Sequence, residues 1–546
     1  MSGPPTSGPP DPGPDPHRTD ADGGGWQRLA WGMLFVQPVR ELLRFVPLLL
    51  VLLFVGRSDG AFRPPWEFIA AGLVILYGVG RFVSTRWRVT PTAVEVRHGV
   101  IGRRLLTAPR ERIRSIDISA HPLQRALGLV KLHIGTGTSG PRSRGVELDG
   151  LPRAAAERLR AELLHTATLG AAVADPPWPG SGDPDGPPPA RAPDAPQVLA
   201  AFRPRWIVYG PATLSGVVTA AAVLALGLRL LSEAQVRPTD IGPVAVFVRH
   251  LASVPWWVAG LQVLAIVLVV TTLLSLAGYV LSYWGFRLVR HRAGETGGTP
   301  DDSALQTSRG LLSTRSTTIA EHRLHGVERV QPLLLRAAGG ARLVAVATGL
   351  REGREAGRGG DLLVPPAPRA TVLDVERAVL PPSGPVDHPT TSLLPRGPAA
   401  RRRRFTRALL GVAVVTAATG ALWCRGVLPG WVPITAAALV VPALWLAQDR
   451  FVSLGHALLR AGDRPEAGDL LISRLGSLIR RRVTLRRRGA VGVVLRSSPF
   501  QRRSGLVTLT VTTAAGSQHY DLPDLDGAVA AALAANVVPA VEQFRA

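Results

Sequence analysis

The feature that most constrains this chain is a series of apolar runs free of charge. A helix needs about 20 apolar residues to cross about 30 Å of hydrocarbon. Residues 206–228 fit between Arg205 and Arg229, 253–284 are longer still, and 426–448 lie between Arg425 and Asp449. Residues 408–424 are shorter but very apolar and follow Arg401–Arg404. Residues 66–83 extend a short apolar centre and carry Glu67 at one end. Residues 36–56 make a sixth run if Arg40, Glu41 and Arg44 snorkel to the interface. An interfacial or re-entrant hairpin with the fifth run is the alternative for that block. The runs form three pairs, 36–56 with 66–83, 206–228 with 253–284, and 408–424 with 426–448, each followed by a polar region. An even number of spans places all three polar regions on one side. Charge chooses the side. The chain has 63 Lys+Arg (Lys131 is the only lysine) against 39 Asp+Glu, a net charge of +24. Within the pairs lie only Arg57, Arg63, Arg229, Arg237, Arg249 and Arg425. Positive charge near spans stays cytoplasmic, so the expectation is a multi-pass protein of the cytoplasmic (cell) membrane with polar regions and both termini inside.

The polar regions repeat. Pro122-Leu-Gln-Arg-Ala-Leu-Gly-Leu-Val-Lys-Leu-His-Ile134 matches Pro499-Phe-Gln-Arg-Arg-Ser-Gly-Leu-Val-Thr-Leu-Thr-Val511 without a gap. The shared positions include Pro122, Gln124, Arg125 and Gly128 in one copy and Pro499, Gln501, Arg502 and Gly505 in the other. Upstream, Gly99-Val-Ile-Gly-Arg-Arg104 answers Gly476-Ser-Leu-Ile-Arg-Arg481. A middle copy is more diverged: Arg309–Arg315, Gly326–Pro332, Gly339 and Leu343–Val346 align with a one-residue shift, and Leu334-Leu335-Arg336 stands where Gln-Arg is expected. Period-two apolar runs such as Val94-Glu-Val96, Ile116-Asp-Ile118 and Leu132-His-Ile134 predict strands punctuated by glycine. Each end copy closes with a helical stretch, Leu151–Leu164 and Asp524–Val538.

These residues resemble the bacterial pleckstrin-homology-like domain, in its multi-copy membrane form typified by YdbT-like proteins. The resemblance is carried by Trp87-Arg-Val-Thr-Pro-Thr-Ala-Val-Glu-Val96, the Gly99 turn, Arg112-Ile113 with Ile116, the Pro-x-Gln-Arg-x-x-Gly-Leu signature, and Arg450–His456. It implies a split β-barrel with a C-terminal helix and no established catalytic reaction. The expected architecture is membrane α-helical plus β: three transmembrane helix pairs, each followed by a cytoplasmic barrel. The expected segments are a disordered tail at 1–25, helix pair one at 26–86, copy one at 87–168, a Pro/Gly linker at 169–200, helix pair two at 201–284, copy two with inserted loops at 285–380, a linker at 381–400, helix pair three at 401–448 and copy three at 449–546.

Enzymatic chemistry finds no foothold. There is no Walker loop, no His-Glu-x-x-His helix and no Gly-x-Ser-x-Gly elbow. Glu321-His-Arg-Leu-His325 places two imidazoles three apart, which on a helix could start a metal site, but reads as a polar surface beside Arg323; Asp301-Asp302 reads as a solvated turn rather than a calcium site. The single Cys424 excludes an intramolecular disulfide framework and a Cys-rich zinc site. No catalytic, cofactor or metal residue is assigned. The strong spans hold Gln262 and some Ser, Thr and Tyr but no Asp, Glu, Lys or Arg, which argues for anchors over a transport path.

Arginine carries the remaining chemistry. Residues 476–505 contain Arg480, Arg481, Arg482, Arg486, Arg487, Arg488, Arg496, Arg502 and Arg503 with no acid. With Arg103, Arg104 and Arg125 of copy one, these (Arg496 apart) are the candidates for binding anionic headgroups or a partner, since guanidinium forks onto phosphate. The competing reading is ordinary positive-inside charge. The expected function is a non-enzymatic, membrane-anchored scaffold binding anionic phospholipid, an unknown protein or itself, with a part in envelope homeostasis implied by the resemblance alone. The alternative is a transporter or transport accessory. Sparse aromatics and the lack of a recognition helix argue against nucleic acid.

Overall fold

A computed structural model describes residues 26–28, 30–33, 84–90, 92–98, 104–110, 113, 115–135, 146–164, 196–213, 242–291, 303–348, 361–380, 387–460 and 469–538, with isolated positions between 221 and 229. The expected runs at 36–56 and 66–83, most of 206–228, Arg103, and the Asp301-Asp302 turn lie outside these residues.

Copy one is built from β1 (Gln27–Arg28), β2 (Arg86–Val89), β3 (Ala93–His98) and β4 (Arg104–Pro109) in one antiparallel sheet, then β5 (Ser115–Ala120), β6 (Leu129–Gly135) and β7 (Val146–Pro152) in a second. A short helix α1 (Pro122–Ala126) joins β5 to β6, and α2 (Arg153–Leu164) closes the barrel. Alternation drives this: Val94, Val96, Ile116, Leu132, Ile134 and Leu148 face one core, joined by Ala156, Leu159 and Leu163 from one stripe of α2.

Copy two repeats the plan. Its strands are β8 (Gln197–Ala201), β9 (Arg287–His291), β10 (Ala304–Arg309) and β11 (Thr314–Ala320), then β12 (Leu324–Pro332), β13 (Gly340–Ala347) and β14 (Leu362–Pro368). Between β8 and β9 the chain runs through 3₁₀ turns at Pro204–Tyr209 and Pro211–Thr213, then α3 (Gly242–Ser253) and α4 (Trp256–Tyr283). The short helix is α5 (Leu333–Ala337), and α6 (Arg369–Val379) closes the barrel on Val372, Val375 and Val379. Copy three follows α7 (Pro398–Cys424), α8 (Trp431–Ala438) and α9 (Val440–Val452). Its strands are β15 (Gly455–Leu459), β16 (Leu470–Leu475), β17 (Ile479–Arg486), then β18 (Ala490–Arg496), α10 (Pro499–Arg502), β19 (Leu506–Thr513), β20 (His519–Asp526) and α11 (Gly527–Val537).

In each copy the chain joins the first sheet before the apolar segment, not only after it. β1 pairs with β2, β8 with β9, and Leu394 bridges to His456 of β15. Both ends of each apolar segment are thereby held by one sheet. Trp206, at the start of an expected span, is instead buried in the core of copy two beside Phe202 and Phe286. An indole of that size fills the barrel end, so the chain stays in 3₁₀ turns through Thr213.

Among the described residues three helices are long and apolar enough to cross a membrane: Trp256–Tyr283, Pro398–Cys424 and Trp431–Val452. That is compatible with a membrane protein. Leu261, Leu264, Leu268, Leu410, Val414 and Val441 are all more than half exposed, and nothing described covers them. The third helix breaks at Leu439, where Pro442 has no N–H to donate one turn back.

The copies are joined by their sheets. β5 pairs antiparallel with β11, making one seven-stranded sheet, and β12 pairs with β17, making a six-stranded one. The register is the same at both seams. Ala120 faces Thr314 and Ser115 faces Ile319, while at the structurally equivalent positions Gln331 faces Arg480 and Gly326 faces Leu485. The structure also aligns the middle copy without the expected shift. Gly128, Gly339 and Gly505 end the three short helices at φ of +67°, +71° and +66°, a left-handed conformation only glycine adopts cheaply. Pro332 is the residue before its helix, whereas Pro122 and Pro499 are the first helical residues, and anchoring on proline produces the false shift.

Candidate functional site

The signature glutamine is a buried structural clip. Gln501 donates to Asp524 at 3.0 Å and to Thr508 at 2.9 Å, while its own N–H and side-chain oxygen close a capping box with Ser498. Gln124 does the same work, donating to Asp149 at 2.7 Å and accepting from the His121 N–H. In copy two, Leu335 fills the position and is fully buried.

The signature arginine is a seam clamp. Arg125 donates to the Leu311 carbonyl in the β10–β11 turn of copy two, and Arg336 donates at 3.3 Å to the Ser477 carbonyl in the equivalent turn of copy three. Arg336 also pairs with Asp449 at 3.3 Å.

Most of the arginine cluster at 476–505 is engaged inside the fold. Arg480 donates to Ser453 and Asp449, and Arg481 pairs with Glu328 at 3.1 Å across the second seam. Arg482 is buried, donates to the His388 and Thr391 carbonyls, and is lowered by burial to about 10. Arg486 donates to the Val379 carbonyl, and Arg487 pairs with Asp469 at 3.0 Å. Arg488, Arg502 and Arg503 remain exposed, with Arg502 donating to Ser497 at 3.3 Å. Arg104 lies on the edge strand β4. These arginines do not share one face.

A different basic site is assembled where α7 meets copy three. Asp524 has φ +57° and is 1 % exposed. Its carboxylate accepts from Arg403 and pairs with Arg404 at 2.5 Å. This ties the first turns of α7 to the end of β20. Beside it opens a cavity of about 1110 Å³ between α7 and α10, lined by Arg402, Arg403, Arg407 and Arg503, with the apolar ring of Phe500 among them. The wall continues along α7 through Leu410, Gly411 and Val414, into its apolar stretch. Arg402, Arg407 and Arg503 form no ion pair among the described residues. Phe500 is 73 % exposed at the mouth. A second cavity, about 640 Å³, lies at the first seam and is lined by Arg125, Arg153, Arg160, Arg309 and Arg315 with Glu157.

Sequence reasoning singled out Arg503 but not its neighbours in space. Arg401–Arg404 read only as charge flanking a span. No local pattern marks Asp524, which lies between Asp521 and Asp526 on the same strand.

Residues 41–167 and 409–540 each match the family model of the bacterial PH domain. The chain therefore carries the bacterial PH domain in repeated copies. Bacterial PH domains are generally non-catalytic binding modules. No curated protein and no solved structure matches the chain. The middle PH-like copy lies outside both matched stretches, but shares their strand order, left-handed glycine and closing helix. The described residues contain no group of three His, Cys, Asp or Glu able to hold a metal. Glu321 accepts from Arg290 at 2.6 Å, and His322 contacts Arg323.

Proposed function

We propose that this protein is a membrane-anchored scaffold of the cytoplasmic face whose third PH-like copy binds an anionic phospholipid. The observation that carries this reading is the cavity at the start of α7. Its basic rim of Arg402, Arg407 and Arg503 passes directly into an apolar wall at Leu410 and Val414. A phosphate-bearing headgroup with its acyl chain beside the helix has that polarity profile. Arg404 and Arg403, spent on Asp524, hold the rim in place and leave the outer arginines free to fork onto phosphate. The three apolar helices anchor the chain, and the tie between Leu394 and β15 keeps copy three directly beneath its helix pair. The finer elements of this reading, namely six spans in three pairs, the cytoplasmic side, YdbT-like membership and a part in envelope homeostasis, belong to the same proposal.

The test is a lipid titration of the full chain purified in neutral detergent, read by native mass spectrometry. Anionic phosphatidylglycerol should be retained in preference to phosphatidylcholine. Replacing Arg402, Arg407 and Arg503 together by Gln should weaken retention about 100-fold, at about 1 kcal/mol per basic residue. Equal retention of both lipids, or no change in the triple variant, would refute the site.

A further inference from the structure

Two strand edges are left open by the rule that joins the copies. Each seam pairs the first strand of one copy's second sheet with the last strand of the next copy's first sheet, in one register. Among the described residues β18 ends the sheet of copy three and β4 ends the first sheet of copy one, with no strand paired on the outer side of either. The consequence shows in burial. Ile118 and Arg329, at one seam position, are 8 % and 4 % exposed, while the equivalent Leu495 of β18 is 49 % exposed. On the opposing strands Thr317 and Val483 are 2 % and 3 % exposed, while the equivalent Leu106 of β4 is 37 % exposed. A long open edge bearing apolar side chains is a template for pairing with another strand.

The geometry points to head-to-tail self-association, in which β18 of one chain pairs with β4 of a second copy of the same chain. Four observations favour this occupant. The two edges are the complementary halves of a contact the chain already makes twice. Carrying the seam register over sets Leu495 opposite Leu105 and Val494 opposite Leu106, so both exposed apolar pairs meet directly. The internal seams are clamped by acids at these positions, Asp117 with Arg315 at 3.2 Å and Glu328 with Arg481 at 3.1 Å. On the open edges the acid has given way to Val494, and its opposing position holds the apolar Leu106, as Val483 already stands opposite Glu328 at the second seam. Finally, the clamping arginine is retained without a seam to clamp: Arg125 and Arg336 reach a following copy, whereas Arg502, among the described residues, donates to Ser497 of its own copy. The register also sets Arg496 opposite Arg104, a like-charge pair that keeps the contact weaker than an internal seam. A heterologous contact of this type closes into a ring or runs on as a row. Each apolar segment enters its copy at the same place, so one step carries helices and barrels together.

The experiment is cysteine cross-linking of the full chain in membranes, in a Cys424→Ala background. Chains with Leu495→Cys and Leu105→Cys carry different tags and are co-expressed, then treated with a short bis-maleimide. As a folding control, Ile118→Cys with Ser316→Cys in one chain reports the internal seam. The expected result is a 495-to-105 product between differently tagged chains, and a ladder when both cysteines share one chain. Adding Leu106→Lys with Val494→Lys should cut that product at least tenfold while the internal control stays. Absence of the mixed product with the control intact overturns the inference. So does a product only between like positions, which would indicate a symmetric pair, or one that survives the lysines.

Discussion

Copies two and three share a backbone plan and differ in what they bury at three equivalent positions. Copy two places Leu288, Leu335 and Pro366 there; copy three places His456, Gln501 and Asp524. All six are buried. In copy two the apolar set closes the junction: α5 packs on the Pro211–Thr213 turn, and the Tyr279 hydroxyl from α4 donates to the Pro366 carbonyl at 2.6 Å. In copy three the polar set recruits arginines to satisfy it, Arg396 from just ahead of α7 against His456, and Arg403 and Arg404 of α7 against Asp524. The junction then stays open as a basic cavity. One fold therefore serves as a sealed connector in the middle and as a candidate binding site at the end, by the chemistry of three buried side chains.

The comparison breaks most severely at Asp524. Asp524→Ala leaves two partly buried guanidiniums without their counter-charge, and should cost about 3–5 kcal/mol by denaturant unfolding of copy three. Pro366→Ala, at the equivalent place, should cost far less. Acid titration gives the next largest effect. Burial lowers His456 to about 4, assisted by Arg396, and lowers His388 to about 4 as well. Both are folded-state values below the ordinary 6.5, so the unfolded chain takes up protons first. Stability is complete above about pH 6.5 and falls as pH drops toward 4, by up to about 3 kcal/mol per histidine. Glu376, raised by burial, has the opposite sign and offsets part of the loss. Replacing His456 by Leu, the residue of copy two, should flatten the profile measured by thermal unfolding against pH.

Smaller changes sharpen the contrast. Gln501→Leu removes a donor from Asp524 and should cost about 1–3 kcal/mol. The reciprocal Leu335→Gln buries an amide among apolar neighbours and should cost a similar amount. If either swap is neutral, the two junctions are not specialised as described. Gly505→Ala forces a left-handed alanine and should cost about 1–2 kcal/mol. Gly339→Ala should match it, because that feature is common to all copies.

Much of this was legible in the sequence. The period-two runs, the punctuating glycines and the closing helices follow from patterns local to a few residues, and three of the apolar runs are long apolar helices. The parts that were not legible are long-range. Nothing near Leu394 or Gln27 says that a strand ahead of an apolar segment returns to the barrel behind it. Trp206 reads as membrane because apolar content alone cannot tell a barrel end from a bilayer. The arginines at 480–487 read as an open face, since their partners, Asp449, Glu328 and carbonyls at 379, 388 and 391, come from other elements and another copy. The site itself joins residues about a hundred positions apart, Arg402 to Arg503, through an aspartate no local pattern marks.

The most direct measurement is to map where an acidic phospholipid sits. Full-length protein in membranes would be labelled with a photoactivatable phosphatidylglycerol, digested and read by mass spectrometry. The account predicts adducts concentrated on residues 402–414 and 498–504, lost in the Arg402, Arg407 and Arg503 triple variant. Adducts spread evenly over the apolar helices, or unchanged by that variant, would contradict it.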